Sequence, residues 1–180
     1  NFVYGLTKKQ TPRTSPKGFK SKTDPTGAID KPINPMKKLV YGGASFVART
    51  HAVQVKHMME VFERAILHPG FSVVEVLSEC VVFYPGIFDD GNPRKGGQFD
   101  VIEEKKWDNS PEDADRHDVS DENAAYRLAS LQYPGKFGVF YETDRPTKNQ
   151  LEQNMIDATR EKQGAVSTVD LLSSRFASMK

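Results

Sequence analysis

The sequence predicts an α/β domain with a mostly parallel sheet flanked by helices. Three stretches predict it. Ser45-Phe46-Val47-Ala48-Arg49 has the composition of a short buried strand. Val55, Met58, Met59, Phe62, Ala65 and Ile66 then recur at helical spacing until Pro69-Gly70 stops the run. Phe71-Ser72-Val73-Val74-Glu75-Val76-Leu77 follows as a β-branched strand. A strand, a helix and a strand in that order form a βαβ unit, which requires parallel pairing.

The remaining elements are fainter. Residues 8–36 are rich in Lys, Thr, Ser, Pro and Gly without periodicity, and read as a long loop or arm. Residues 121–132 suit a short helix capped by Ser120 or Asp121. Gly138-Val139-Phe140-Tyr141 reads as another strand, and Arg145-Pro146 as a turn. Leu151, Met155, Ile156 and Thr159 mark an amphipathic helix ending near Gly164. Leu171, Leu172 and Phe176 are expected to dock a final short helix. Methionines and aromatics are read as core.

At 180 residues, with 37% hydrophobic and 27% charged, the chain can bury one real core. No apolar run approaches the roughly 18 residues of a membrane span. A single cysteine forms no internal disulfide, so a reducing cytoplasm is the expected location. The net charge of +1 conceals an asymmetry. Residues 1–38 carry nine Lys or Arg against Asp24 and Asp30, while residues 89–122 carry twelve acids against five bases. Such a split suits a charged ligand or partner for the arm and a solvated, peripheral lobe for the acidic stretch.

The chain opens Asn-Phe-Val-Tyr-Gly-Leu-Thr-Lys-Lys-Gln. Asn1 offers a neutral side-chain oxygen, and Val3 a backbone carbonyl if the chain turns there. Gly5 permits a close backbone approach to an anion. Mg²⁺ takes about six oxygens and accepts several from a ligand's phosphates. On residue chemistry alone an ordinary turn remains equally open.

This decapeptide, followed by Thr-Pro-Arg-Thr-Ser-Pro, resembles the end of the thiamine-diphosphate motif in β subunits of 2-oxoacid:ferredoxin oxidoreductases, especially the 2-oxoglutarate type. The likeness continues through Gly43-Ala44-Ser45-Phe46-Val47-Ala48-Arg49 and His68-Pro69-Gly70-Phe71-Ser72-Val73-Val74-Glu75-Val76-Leu77-Ser78-Glu79-Cys80, and weakly at Gly138-Val139-Phe140-Tyr141. Lys8-Lys9-Gln10 departs from the family's usual Gly-Gln or Lys-Gly-Gln, and Thr11-Pro12-Arg13-Thr14 from its Ser-Pro-Thr.

The resemblance implies a thiamine-diphosphate-binding fold, of which this chain holds the diphosphate half. Residues 1–88 would be the C-terminal half of that domain, and residues 89–180 an acidic lobe and C-terminal extension packed on it. Asn1 and the Val3 carbonyl would bind Mg²⁺, with Gly5, Leu6 and Thr7 at the cofactor. The metal-binding Asp of an upstream Gly-Asp-Gly would lie on a preceding segment, so the chain is expected to be the C-terminal part of something longer. Cys80, otherwise a small buried hydrophobe, would be the fourth thiolate of a 4Fe-4S cluster whose other three come from that segment.

The implied reaction is CoA-dependent oxidative decarboxylation of a 2-oxoacid to acyl-CoA and CO₂, with ferredoxin reduced and an α subunit as partner. Within the substrate loop Leu6, Thr7 and Lys8, the Lys8 cation suits the distal carboxylate of 2-oxoglutarate, and a solvated lysine is the alternative.

Two other functions compete. One is another thiamine-diphosphate-dependent decarboxylase or synthase, with Cys80 a plain core residue. The other is a non-catalytic interaction module gripping acidic partners through the basic arm. That arm lacks the regular aromatic interleaving of single-strand nucleic-acid binders, so neither nucleic acid nor membrane is expected as a partner. His51, His57, His68 and His117 have no metal-ligand spacing and are read as structural. No Gly-x-Ser-x-Gly elbow or Walker loop occurs.

Overall fold

The computed structural model describes residues 11–21, 24–106, 113–131, 133, 135–164 and 167–179. The chain divides into two compact units, Asn1–Asp144 and Arg145–Lys180.

In the first unit the βαβ pattern is realised. Strand β1 (Phe46–His51) leads into helix α2 (Val55–Leu67) and strand β2 (Ser72–Leu77). β1 and β2 pair in parallel, Phe46 beside Ser72 through His51 beside Leu77. Strand β3 (Gly138–Glu142) joins the other edge of β1 antiparallel, giving the order β2-β1-β3. The sheet is therefore mixed. Val47 faces Tyr141 and Ala48 faces Val139, which leaves Phe140 as the extra residue of a bulge.

Strand periodicity separates two apolar layers. On one face Val47, Phe140 and Tyr141 pack with helix α1 (Pro35–Tyr41) through Met36 and Val40. Helix α3 (Glu122–Ala129) adds Ala125 and Ala129 to that layer. On the other face Phe46, Ala48 and Val139 meet Val61 and the half-buried Ala65 of α2. The expected apolar stripe of α2 is thus narrower than its pattern. Met59, Phe62 and Ile66 are exposed, and only Val61 is buried.

α1 begins at the end of the loop expected over residues 8–36 and is a helix that the pattern there does not predict. Asn34 caps it by accepting from Lys37 N at 3.1 Å, with Pro35 in the first turn. The same side chain donates to the Ala129 carbonyl at 2.6 Å and ties α1 to α3. Asp121 caps α3 as expected, accepting from Asn123 N and Ala124 N.

The acidic stretch is not wholly peripheral. Ile102 is buried in the main core, and its N–H bonds to the Phe137 carbonyl at 2.7 Å. Arg64 of α2 donates from Nη1 to both carboxylate oxygens of Glu104, at 2.9 and 2.8 Å, and from Nε to Glu142 at 2.7 Å. A cation on α2 therefore neutralises part of the lobe.

In the second unit, helix α4 (Lys148–Gln163) starts on a capping box of Thr147 and Gln150 and stops at Gly164, whose φ is 76°. Helix α5 (Thr168–Ser178) is capped by Ser167. Leu171, Leu172 and Phe176 are exposed on α5, and no described residue of that helix is buried. Among the described residues, no helix is long and apolar enough to cross a membrane.

Candidate functional site

The C-terminal ends of parallel strands are where ligands collect, because loops there can diverge around a crevice. At this edge His51 ends β1 and is 2% exposed. Its Nδ1 accepts from Val53 N at 3.3 Å, so Nε2 carries the proton it donates to the Phe88 carbonyl, also at 3.3 Å. Below, Leu77, Phe88 and Phe137 form an apolar floor, with Phe99 stacked on Phe137 at 4.4 Å. Behind the edge, the cross-strand pair Arg49 and Glu75 meets at 2.6 Å.

β2 runs into this edge and delivers Cys80. The chain turns at once: Tyr84 N donates to the Cys80 carbonyl at 2.9 Å, closing a tight bridge. The backbone of this turn, at Phe83 first and then at Val82, holds the thiol below its ordinary pKa. A neutral buried thiol gains little from backbone donors, whereas a thiolate gains much. Val81 and Val82 remain exposed beside it.

The arm crosses to this turn. Asp24 is 8% exposed, and its carboxylate accepts from Thr11 Oγ1 at 2.5 Å, Thr26 Oγ1 at 2.6 Å and Gly27 N at 3.3 Å. The hydroxyl of Thr11, then that of Thr26, keep it below the usual carboxylate pKa. Gly18 N to Ala28 O at 2.7 Å and Ala28 N to Phe19 O at 2.9 Å pair the two limbs of the arm. Phe19 then stacks on Tyr84, ring centroids 4.0 Å apart and planes 17° off parallel. A cavity of about 450 Å³ opens beside Thr11, Arg13, Asp24 and Asp30.

At the opposite edge a second polar cluster imitates a hydrolytic triad. His68 Nε2 lies 3.0 Å from Ser45 Oγ, and His68 Nδ1 lies 3.6 Å from Glu142. Ser45 is 3% exposed and its Oγ also accepts from Phe71 N at 3.0 Å. No substrate carbonyl can reach a hydroxyl so enclosed, and the cluster instead locks the entrances of β1 and β2. The other histidines are likewise bound up structurally: His57 Nδ1 to Thr50 Oγ1 at 2.8 Å, and His117 Nε2 donating to Phe140 O at 2.8 Å.

Of the residues singled out in the sequence, Cys80 sits at the expected strand end. Asn1, Val3, Gly5, Leu6, Thr7 and Lys8 lie outside the described residues. Asp24, Phe19 and Tyr84 went unrecognised. Asp24-Pro25-Thr26-Gly27 is a turn signature that could have marked the clamp. The stack of Phe19 on Tyr84 left no local signal. Among the described residues, no group of three His, Cys, Asp or Glu could hold a metal ion, so Cys80 is a lone thiolate donor there.

Comparison with known proteins decides the lineage. Residues 1–76 match the family described as thiamine pyrophosphate enzyme, C-terminal TPP binding domain. A 2-oxoacid:ferredoxin oxidoreductase subunit beta of Saccharolobus solfataricus is 32% identical over 149 residues, covering 80% of this chain and 47% of that protein. This chain belongs to the β-subunit family of 2-oxoacid:ferredoxin oxidoreductases. A 2-oxoglutarate synthase subunit KorB of Archaeoglobus fulgidus is 41% identical over 80 residues, or 44% of this chain and 30% of that one. The solved 2-oxoglutarate:ferredoxin oxidoreductase from Magnetococcus marinus, with 2-oxoglutarate, coenzyme A and succinyl-CoA bound, superimposes with a TM-score of 0.74 at 30% identity. It covers the whole of this chain and 56% of its own. The chain spans about half the length of the relatives that match most of it.

Proposed function

We propose that this chain is the diphosphate-binding part of an enzyme that oxidatively decarboxylates a 2-oxoacid, 2-oxoglutarate foremost, in the presence of coenzyme A and with ferredoxin as electron acceptor. The products are acyl-CoA (succinyl-CoA for 2-oxoglutarate) and CO₂. The observation that carries the reading is the Cys80 turn. A thiol just past the C-terminal edge of a parallel pair, in a turn that Tyr84 N closes on the Cys80 carbonyl at 2.9 Å, suits a cluster ligand, because the end of such a strand is where binding groups collect.

In this reading Cys80 supplies one thiolate of a 4Fe-4S cluster, and residues beyond this chain supply the other three. Asn1 and the Val3 carbonyl would hold Mg²⁺, with Gly5, Leu6 and Thr7 at the cofactor. Bound thiamine diphosphate would supply an electron sink for loss of CO₂, and a bound cluster a one-electron acceptor. The chain's own residues do the rest. Lys8 pairs with the distal carboxylate of the substrate. The floor of Leu77, Phe88 and Phe137 excludes water below the edge. A partner α subunit completes the active centre, in the cytoplasm.

The test is reduction of ferredoxin by the full-length protein assembled with its α subunit under anaerobic conditions. Reduction should require 2-oxoglutarate, coenzyme A, thiamine diphosphate and Mg²⁺ together. Thiamine-dependent turnover that proceeds unchanged without any electron acceptor would place the protein among the non-redox thiamine enzymes instead.

A further inference from the structure

α2 carries two apolar stripes, and only one of them meets the sheet. Val61 and the half-buried Ala65 face Phe46, Ala48 and Val139. On the outer side Val55, Met59, Phe62 and Ile66 are all exposed. Steps of four, three and four residues gather these side chains within about 60° of arc, along about 16 Å of helix. Exposed Lys56 and Glu63 line one flank of the row, and the half-buried Met58 and Ala65 line the other. Lys56 is 93% exposed and has only a long contact of 4.0 Å with Glu60 of its own helix. Single exposed apolar residues are ordinary. Four large ones in a continuous row, rimmed by charge, mark a surface that a partner covers.

We propose that this outer stripe is a seam between two copies of this chain, with α2 lying antiparallel on α2 of the second copy about a two-fold axis between Met59 and Phe62. The row has the alternating spacing of a helix-pair seam, Val55 and Phe62 at one seam position and Met59 and Ile66 at the other. Charge selects a second copy as the occupant. In an antiparallel pair, each flank of the seam faces the same flank of the partner helix. Lys56 and Glu63 share a flank and stand two turns apart, so the two-fold sets Lys56 of each copy beside Glu63 of the other. A parallel pair would set that flank against Met58 and Ala65 and leave both charges unmatched. The apolar residues agree with the same register. Met59 meets Phe62, a favourable sulfur–aromatic contact, and Val55 meets Ile66. Every contact occurs twice, because one patch serves both copies. The seam uses α2 alone and is independent of the cofactor reading.

The experiment uses the full-length protein assembled with its α subunit under anaerobic conditions, from a mixture of unlabelled and isotope-labelled β chains. A zero-length carbodiimide joins a lysine to a glutamate only where the two touch, and peptide mass spectrometry identifies the joined pairs. A Lys56–Glu63 pair made of one light and one heavy peptide is expected. Sedimentation at falling protein concentration then gives the dissociation constant between the two β copies. Phe62→Glu should raise it by about a hundredfold or more, since the two-fold loses a central aromatic contact twice. Lys56→Glu sets two acids against each other on both sides of the axis and should raise it about tenfold. Lys56→Glu/Glu63→Lys restores opposite charges and should return it to within about twofold of wild type. That exchange also guards against a variant that merely folds badly, which a second substitution on the surface would not repair.

Absence of the mixed Lys56–Glu63 pair overturns the seam. A charge exchange that associates no better than Lys56→Glu overturns it too, because the two charges then never meet. Phe62→Glu that sheds the α subunit and leaves the β copies together gives the stripe to the α subunit instead, and the seam fails. An unchanged dissociation constant in Phe62→Glu has the same consequence.

Discussion

Gly70 stands in the His68-Pro69-Gly70 corner where α2 hands over to β2, with φ at 143°. That backbone region is nearly closed to residues with a Cβ, and forcing one into it costs about 1–3 kcal/mol. The space is closed as well. A Cβ on Gly70 would lie 2.4 Å from Ser45 Oγ and 3.4 Å from His68 Nε2. Ser45 Oγ would have to move, and with it go the bond to His68 and the bond from Phe71 N, at about 1 kcal/mol each. Gly70→Ala should therefore destabilise the full-length protein by about 3–5 kcal/mol. Urea unfolding reads this as a lower midpoint at unchanged slope. Adding Ser45→Ala removes the colliding oxygen, so the double variant should be better than the sum of the singles by about 1 kcal/mol or more. A Gly70→Ala midpoint within about 0.5 kcal/mol of wild type, or strict additivity with Ser45→Ala, would refute this account of the corner.

Lys8→Gly should raise KM for 2-oxoglutarate much more than for pyruvate; an equal change in both would show that Lys8 does not read the distal carboxylate. Phe137, fully buried in the floor below the Cys80 edge, should cost about 3–5 kcal/mol of stability as Phe137→Ala, measured by denaturant unfolding. Burial holds the His57 pKa below 6.5, with Glu60 opposing it. The unfolded chain therefore takes up that proton first, and stability should fall as pH drops below 6.5 until the folded state is protonated too. His57→Gln should flatten that part of a stability-against-pH curve, and a variant with an unchanged slope would rule out His57 as the group responsible.

What could be read in the sequence was what local pattern encodes. β1, α2 and β2 announced themselves by period and by the Pro69-Gly70 stop, and Asp121 by its place before a helix. α1 carried its signals too, Asn34-Pro35 before and Gly42-Gly43 after, but seven residues with two adjacent lysines give too short a stripe to stand out. The pattern overstates burial at Met59, Phe62 and Ile66, because an amphipathic stripe shows which face is apolar and not how much of it is covered. Contacts between distant residues left no local trace. Arg64 and Glu142 are 78 positions apart, and Glu104 joins the same guanidinium from within a stretch that reads as solvated surface. Cys80 carries no local signal of its role, which the resemblance alone supplies; the turn that Tyr84 N closes on its carbonyl exists only in the folded chain.

The claim beneath the whole account is that residues 1–7 grip a metal-bound diphosphate. Calorimetric titration of thiamine diphosphate with Mg²⁺ into the full-length heteromer tests it most directly, comparing wild type with Asn1→Leu. Loss of one oxygen ligand should weaken cofactor binding by about tenfold or more, as removal of a single charge-linked contact does. Equal affinity in the two proteins would contradict it.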